Sequence, residues 1–145
     1  MAITTAMCNS FKQELLGAVH DLDTNTFKVA LIKPSNSGTY GAAITNYSDL
    51  TGNTDEAVGT NYTAGGQILG SATISLSGST AFVDFGDEVF ANLTISADGA
   101  IIYNASQANK AVAVFDFGGT ITSTSGDFTL VFPTADATNA VIRIS

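Results

Sequence analysis

Short apolar runs and alternating apolar and polar positions follow one another along most of this chain, a pattern typical of β-strands. Two apolar runs, residues 100–103 and 111–117, flank the polar span 104–110. Runs that short, bounded by Asn, Ser, Gln and Gly, predict two hairpin strands buried on both faces. We expect the second strand to end at Asp116-Phe117-Gly118.

The same pattern predicts one helix and several further strands. A helix is predicted over residues 9–20, with Asn9 or Ser10 as its N-cap. Its apolar face would be formed by Phe11, Leu15, Leu16 and Val19. Further strands are predicted over residues 26–33, 67–76, 80–85, 90–96, 127–132 and 140–144.

About eight short strands at regular spacing favour an all-β fold, an antiparallel β-sandwich or a barrel-like domain with one N-terminal α-helix. Residues 1–145 are expected to form a single domain, with residues 1–25 as an N-terminal arm and helix. The candidates for its core are Phe27, Phe82, Phe85, Phe115, Phe117 and Phe128.

The strand pattern is interrupted over residues 35–66, which are rich in Gly, Thr, Asn and Ser. A loop region of that length usually contacts a partner or stays mobile. Tyr40, Tyr47 and Tyr62 lie in it and are the candidate interaction residues. The acidic pair of Asp55 and Glu56 is expected to lie in a solvated turn.

Composition narrows the possible partners. The chain has 45% hydrophobic and 12% charged residues, and 13 acidic against five basic residues give a net charge of −8. Affinity for a phosphate backbone requires clustered Lys and Arg, whereas these five are scattered, so we expect no direct nucleic-acid partner and no anionic membrane partner. We see neither a signal peptide nor an apolar stretch of about 18 residues.

No motif in the sequence strongly indicates a catalytic or metal-binding site. Cys8 and His20 are the only residues of their types, which excludes an intrachain disulfide and a multi-histidine metal site. We therefore predict no catalytic residue, metal site or cofactor. Asp21 and Asp23 begin like a calcium loop, but its later ligand positions are not matched, so only adventitious cation binding stays open there.

Six segments, taken together and in order, resemble a family of small tailed-bacteriophage virion proteins. They are FKVALIKPSNSGTYGAAITNYSDL, NYTAGGQIL, AFVDFGDEVF, GAIIYNAS, AVAVFDFGG and PTADATNAVIRI, and they cover most of the chain from residue 27 to residue 144. Members of that family often carry Trp where this chain has Phe90. The resemblance implies a non-enzymatic structural component of a phage particle.

Within that family we expect a capsid decoration (cement) protein that stabilises the shell. Its partners would be the major capsid protein or other virion proteins, and further copies of itself as a homo-oligomer. It would reside in the virion after synthesis in the host cytoplasm. The N-terminal segment and residues 35–66 are the candidate contact surfaces.

Two alternatives stay open. One is a tail- or fibre-associated module that binds a receptor or glycan, with Tyr40, Tyr47 and Tyr62 as stacking faces for sugars. The other is an enzyme that uses His20, although the chain lacks the G-x-S-x-G motif of many serine hydrolases.

Overall fold

The computed structural model describes residues 2–70 and 72–145. It confirms an all-β fold with antiparallel sheets and a helix near the N-terminus. In chain order the elements are β1 Ala2–Ile3, β2 Ala6–Met7, α1 Asn9–Leu16, β3 Phe27–Ile32, β4 Thr39–Tyr40, α2 Ser48–Gly52, β5 Gln67–Ile68, β6 Thr73–Ser77, β7 Thr80–Asp84, β8 Glu88–Asn104, β9 Lys110–Leu130 and β10 Ile142–Ile144.

The main sheet has five strands in the order β2-β9-β8-β3-β5, and every neighbouring pair is antiparallel. A second antiparallel sheet has the order β10-β7-β6, and β1 and β4 form a short parallel pair. The predicted strand over residues 67–76 is split, since β5 belongs to the main sheet and β6 to the second one.

The two longest strands, β8 and β9, are continuous where the sequence predicts separate strands. Residues 117–120 of β9 lie opposite the single residue Asp98, because Ala97 pairs with Ile121 and Gly99 pairs with Asp116. Gly118 adopts a φ of +75° inside this bulge. The bulge absorbs the extra residues and lets pairing resume, so the predicted strand end at residues 116–118 is wrong.

Helix α1 ends at Leu16, four residues before the predicted end at His20. Ala18 adopts a φ of +58°, and Val19 N–H donates to Glu14 C=O at 3.0 Å. This left-handed residue and its hydrogen bond form a Schellman motif, which terminates a helix. The N-cap is Cys8, which has no side-chain capping bond, and not the predicted Asn9 or Ser10.

The core contains most of the predicted phenylalanines. Phe27, Phe85 and Phe128 are buried, and Phe115 and Phe117 are partly buried and pack against the core. Phe82 lies outside the core, contrary to the prediction. Its neighbour Val83 is buried, and since successive side chains of a strand point to opposite faces, Phe82 points away from that buried face.

Candidate functional site

Asp55 and Glu56 are at the centre of the polar structure within residues 35–66. The backbone N–H of Lys33 donates to the Asp55 carbonyl at 2.9 Å, and Glu56 forms a β-bridge with Ile32, so the pair runs beside the end of β3. Successive side chains of an extended segment point to opposite sides, and the two carboxylates accordingly contact different neighbours. Asp55 is fully buried, so the predicted solvated turn is wrong for this residue.

The Asp55 cluster comprises Asp55, Lys33, Ser37, Gly38 and Tyr40. The carboxylate oxygen Oδ2 accepts hydrogen bonds from Ser37 N at 2.9 Å, Gly38 N at 2.8 Å and the Tyr40 hydroxyl at 2.7 Å. Lys33 Nζ lies 3.4 Å from Oδ1. Burial alone would raise the pKa of Asp55, but these four neighbours outweigh burial and hold that pKa well below its usual range.

The Glu56 cluster comprises Glu56, Tyr47, Tyr62, Gly65 and Tyr103. The Tyr47 hydroxyl donates to Glu56 Oε2 at 2.5 Å. The Tyr62 hydroxyl and the Gly65 N–H donate to Oε1 at 2.8 Å and 2.7 Å. Burial raises the pKa of both Tyr47 and Tyr62, and the bond to Glu56 and its charge raise it further.

Tyr103 and Tyr62 attach this cluster to the main sheet. Tyr103, from β8, stacks on Tyr47 with ring centroids 4.6 Å apart, and its hydroxyl donates to the Gly65 carbonyl at 2.6 Å. Burial raises the pKa of Tyr103 to about 12. The Tyr62 hydroxyl accepts a bond from Leu31 N of β3 at 2.9 Å. Residues 35–66 are therefore tied to two strands of the sheet.

The three predicted interaction residues thus all belong to internal clusters. Tyr40 is 1% exposed, while Tyr47 and Tyr62 are partly buried against the core. Their hydroxyls bond to Asp55 and Glu56. A role for these rings toward a partner or sugar stays a prediction.

Sequence reasoning missed the two acids and Tyr103 as members of these clusters. A usable signal was the acidic pair itself, which interrupts a stretch of neutral residues. Each of the two carboxylates accepts bonds from groups of this same chain. The two carboxylate clusters fix the path of residues 35–66, because each carboxylate accepts bonds from more than one part of this loop region.

His20, four residues after the end of α1, is the centre of a third polar cluster. Its Nε2 lies 2.7 Å from Glu14 Oε2, and the Asn104 amide lies 3.0 Å from its Nδ1. Since the amide donates to Nδ1, a neutral His20 carries its proton on Nε2 and donates to Glu14. Lys110 pairs with the same carboxylate at 3.3 Å. These contacts attach α1 to the turn end of the β8–β9 hairpin.

The other candidate residues have local roles. Cys8 is fully buried, and burial raises the pKa of its thiol to about 12. Asp21 accepts hydrogen bonds from Asp23 N at 3.0 Å and from the Thr24 hydroxyl at 2.7 Å, and the Thr24 bond lowers the pKa of Asp21. In residues 2–70 and 72–145, no group of three or more His, Cys, Asp or Glu could hold a metal ion.

An apolar cleft of about 380 Å³ lies between β2, β9 and the segment that precedes β10. Phe115, Phe117, Phe132 and Val141 are among its lining residues. Among the described residues, no helix has the length and apolar character needed to cross a membrane.

Comparisons of the chain with protein-family models, with curated proteins and with solved structures find no match.

Proposed function

We propose that this protein is a non-enzymatic structural protein of a tailed-bacteriophage virion and, within that class, a capsid decoration (cement) protein. Such a protein stabilises the shell by burying surface across the joints between capsid subunits, and many copies on one particle add their effects. Its partner in this proposal is the major capsid protein.

The observation that carries the proposal is the place of the family-like segments in the fold. They contain β3, β5, the end of β8 and the start of β9, which are neighbours in the main sheet. The first two segments also contain Tyr40, Tyr47, Tyr62 and Gly65 of the two carboxylate clusters. Four of the six segments therefore cover one contiguous part of the main sheet, and the third and sixth segments contain β7 and β10, which are neighbours in the second sheet.

The two candidate contact segments lie side by side, which supports their use as one binding surface. Ala2 pairs with Thr39 and Ile3 pairs with Tyr40 in the parallel β1–β4 pair. Thr4 N–H also donates to the Tyr40 carbonyl at 2.8 Å. Because the Asp55 cluster fixes Tyr40, this surface is held in one conformation and would lose little conformational entropy when it binds.

The test is the stoichiometry of the protein in purified particles of the phage that encodes it. Quantitative gel densitometry should give a fixed ratio to the major capsid protein and a copy number comparable with that of the capsomers. A few copies per particle would contradict a cement role and favour the tail- or fibre-associated module. Absence from particles would overturn the virion assignment.

A further inference from the structure

Strand β6, Thr73–Ser77, is an edge of the second sheet. Among the described residues it pairs only with β7, so one side of its backbone has no strand neighbour. Edge strands of soluble proteins are normally protected by charged residues, Pro or a bulge. The sequence of β6 is TISLS, which has neither charge nor Pro, and its pairing with β7 is regular over all five residues. Such an edge is suited to pairing with another strand.

The two faces of β6 differ in polarity. Ile74 and Leu76 point to one face, where they are 48% and 72% exposed, and three hydroxyl side chains point to the other. On the apolar face Leu76 lies beside Ala81 of β7, which lies beside Ile144 of β10. Ile144 is 57% exposed, so this apolar row reaches solvent at both ends.

We propose that β6 pairs antiparallel with β6 of a second copy of this chain, around a twofold axis at Ser75. Ile74 then lies opposite the partner's Leu76, and Ser75 lies opposite the partner's Ser75. The register uses all five residues and places apolar against apolar and hydroxyl against hydroxyl side chains. A shift by one residue would oppose apolar and hydroxyl groups. A shift by two residues keeps the faces matched but pairs fewer residues of the strand. The register centred on Ser75 is therefore the one that uses all five.

Charge permits this pairing although each chain carries a net charge of −8. The only acidic residue in the three strands of the second sheet is Asp84. In the proposed dimer the two Asp84 residues are separated by three strand spacings across the sheet and by four residues along it. Strand geometry then places them about 20 Å from each other. That separation exceeds the Debye length of about 8 Å at physiological ionic strength, so their repulsion is screened.

A twofold contact uses the β6 edge of both copies, so assembly through this edge stops at a dimer. Pairing of β6 with the opposite edge strand, β10, would be head-to-tail and would propagate into rings or open chains. That pairing is less favourable because β10 has three residues against the five of β6. The inference concerns the free protein and does not require a role in a virion, so dimer formation and particle stoichiometry are tested separately.

Disulfide cross-linking tests the register. In an antiparallel pair, directly opposed Cα atoms are about 4.5–5.5 Å apart, within the range of about 4.4–6.8 Å that a disulfide spans. Ser75→Cys should therefore form a cross-linked dimer upon oxidation. Ser77→Cys is the matched control, since two copies of residue 77 would be four residues apart along the strands, about 14 Å. The native Cys8 is fully buried, so it should not take part in the cross-link.

Sedimentation equilibrium tests the apolar contact. Leu76→Lys should raise the dissociation constant of the dimer by about tenfold or more. The effect is large because the twofold interface contains residue 76 of both copies. The control is Leu16→Lys, which makes the same change at a 90% exposed position of α1 and should leave the dimer constant unchanged. Three results would overturn the proposal: a parent protein that stays monomeric up to about 1 mM, equal cross-linking of the two cysteine variants, or a ladder of larger oligomers.

Discussion

Residues 35–66 and the β6–β7 hairpin are stabilised by different interactions. The first region contains only a two-residue strand and a five-residue helix, yet Asp55 and Glu56 bind hydroxyl and backbone donors from several of its loops. The hairpin is regular strand joined by a two-residue turn, yet Ile74 and Leu76 on its edge are largely exposed.

The difference shows that apolar content does not predict how firmly a segment of this chain is held. A buried carboxylate with several donors is costly to disturb, because each donor that loses it stays desolvated without a partner. An exposed apolar side chain on a strand edge contributes little to the fold of its own chain. The loop region should therefore be more sensitive to polar changes than the hairpin is to apolar ones.

The largest effect is expected from Asp55→Asn. The change removes the charge that faces Lys33 and brings an amide N–H₂ group against the donors of Ser37, Gly38 and Tyr40. We expect a loss of about 3 kcal/mol in the free energy of unfolding, measured by urea denaturation. The control Asp23→Asn, at an exposed turn, should stay within about 0.5 kcal/mol of the parent.

The pH dependence of the free energy of unfolding tests the same buried carboxylate, by comparing the parent with Asp55→Asn alone. The pKa of Asp55 is lowered in the folded state, so its contribution is present above the unfolded pKa of about 3.9 and is lost as pH falls from there toward the lower folded value. The parent should lose stability below about pH 4 more steeply than Asp55→Asn does. Equal slopes would contradict a buried, hydrogen-bonded carboxylate.

A smaller effect is expected from Tyr103→Phe. The variant keeps the stacking on Tyr47 and loses the bond to the Gly65 carbonyl, at a cost of about 1 kcal/mol. Because the pKa of Tyr103 is raised to about 12, its contribution is present below the unfolded pKa of about 10 and is lost as pH rises toward the folded value. Denaturation between these pH values should show a weaker alkaline loss in the variant than in the parent.

The smallest effect is expected in the hairpin. Leu76→Lys should change the free energy of unfolding of the dilute monomer by less than about 0.5 kcal/mol, since Leu76 is 72% exposed. Thermal and urea denaturation at low protein concentration measure this value. A loss comparable with that of Asp55→Asn would mean that the edge of β6 is part of the monomer core.

Local patterns in the sequence predicted much of the fold. The all-β class, the start of α1 at Asn9, β3 and the hairpin of 100–103 with 111–117 follow from periodicity and from the residues that bound each run. The continuity of β8 and β9 could not be predicted, because the bulge opposite Asp98 depends on pairing with another strand. Whether Phe82 is buried likewise depends on which face of β7 packs against the core.

The candidate site was predicted only in part. The loop region and its three tyrosines were identified, but the direction of their side chains depends on distant partners. Tyr103 reaches Gly65 across 38 positions of sequence, and Tyr62 reaches Leu31 across 31. The spacing of Asp55 from Ser37 is similarly non-local. Only the fold brings these groups together, so no local sequence pattern could predict their contacts.

Native-state hydrogen exchange compares the two regions most directly. The amides of Ser37, Gly38 and Gly65, which donate to the two carboxylates, should be as protected as those of β3. The amides on the open side of β6 should exchange rapidly in dilute protein and become protected as concentration rises. Rapid exchange at Ser37, Gly38 and Gly65, together with concentration-independent exchange in β6, would contradict both the fixed loop region and the paired edge.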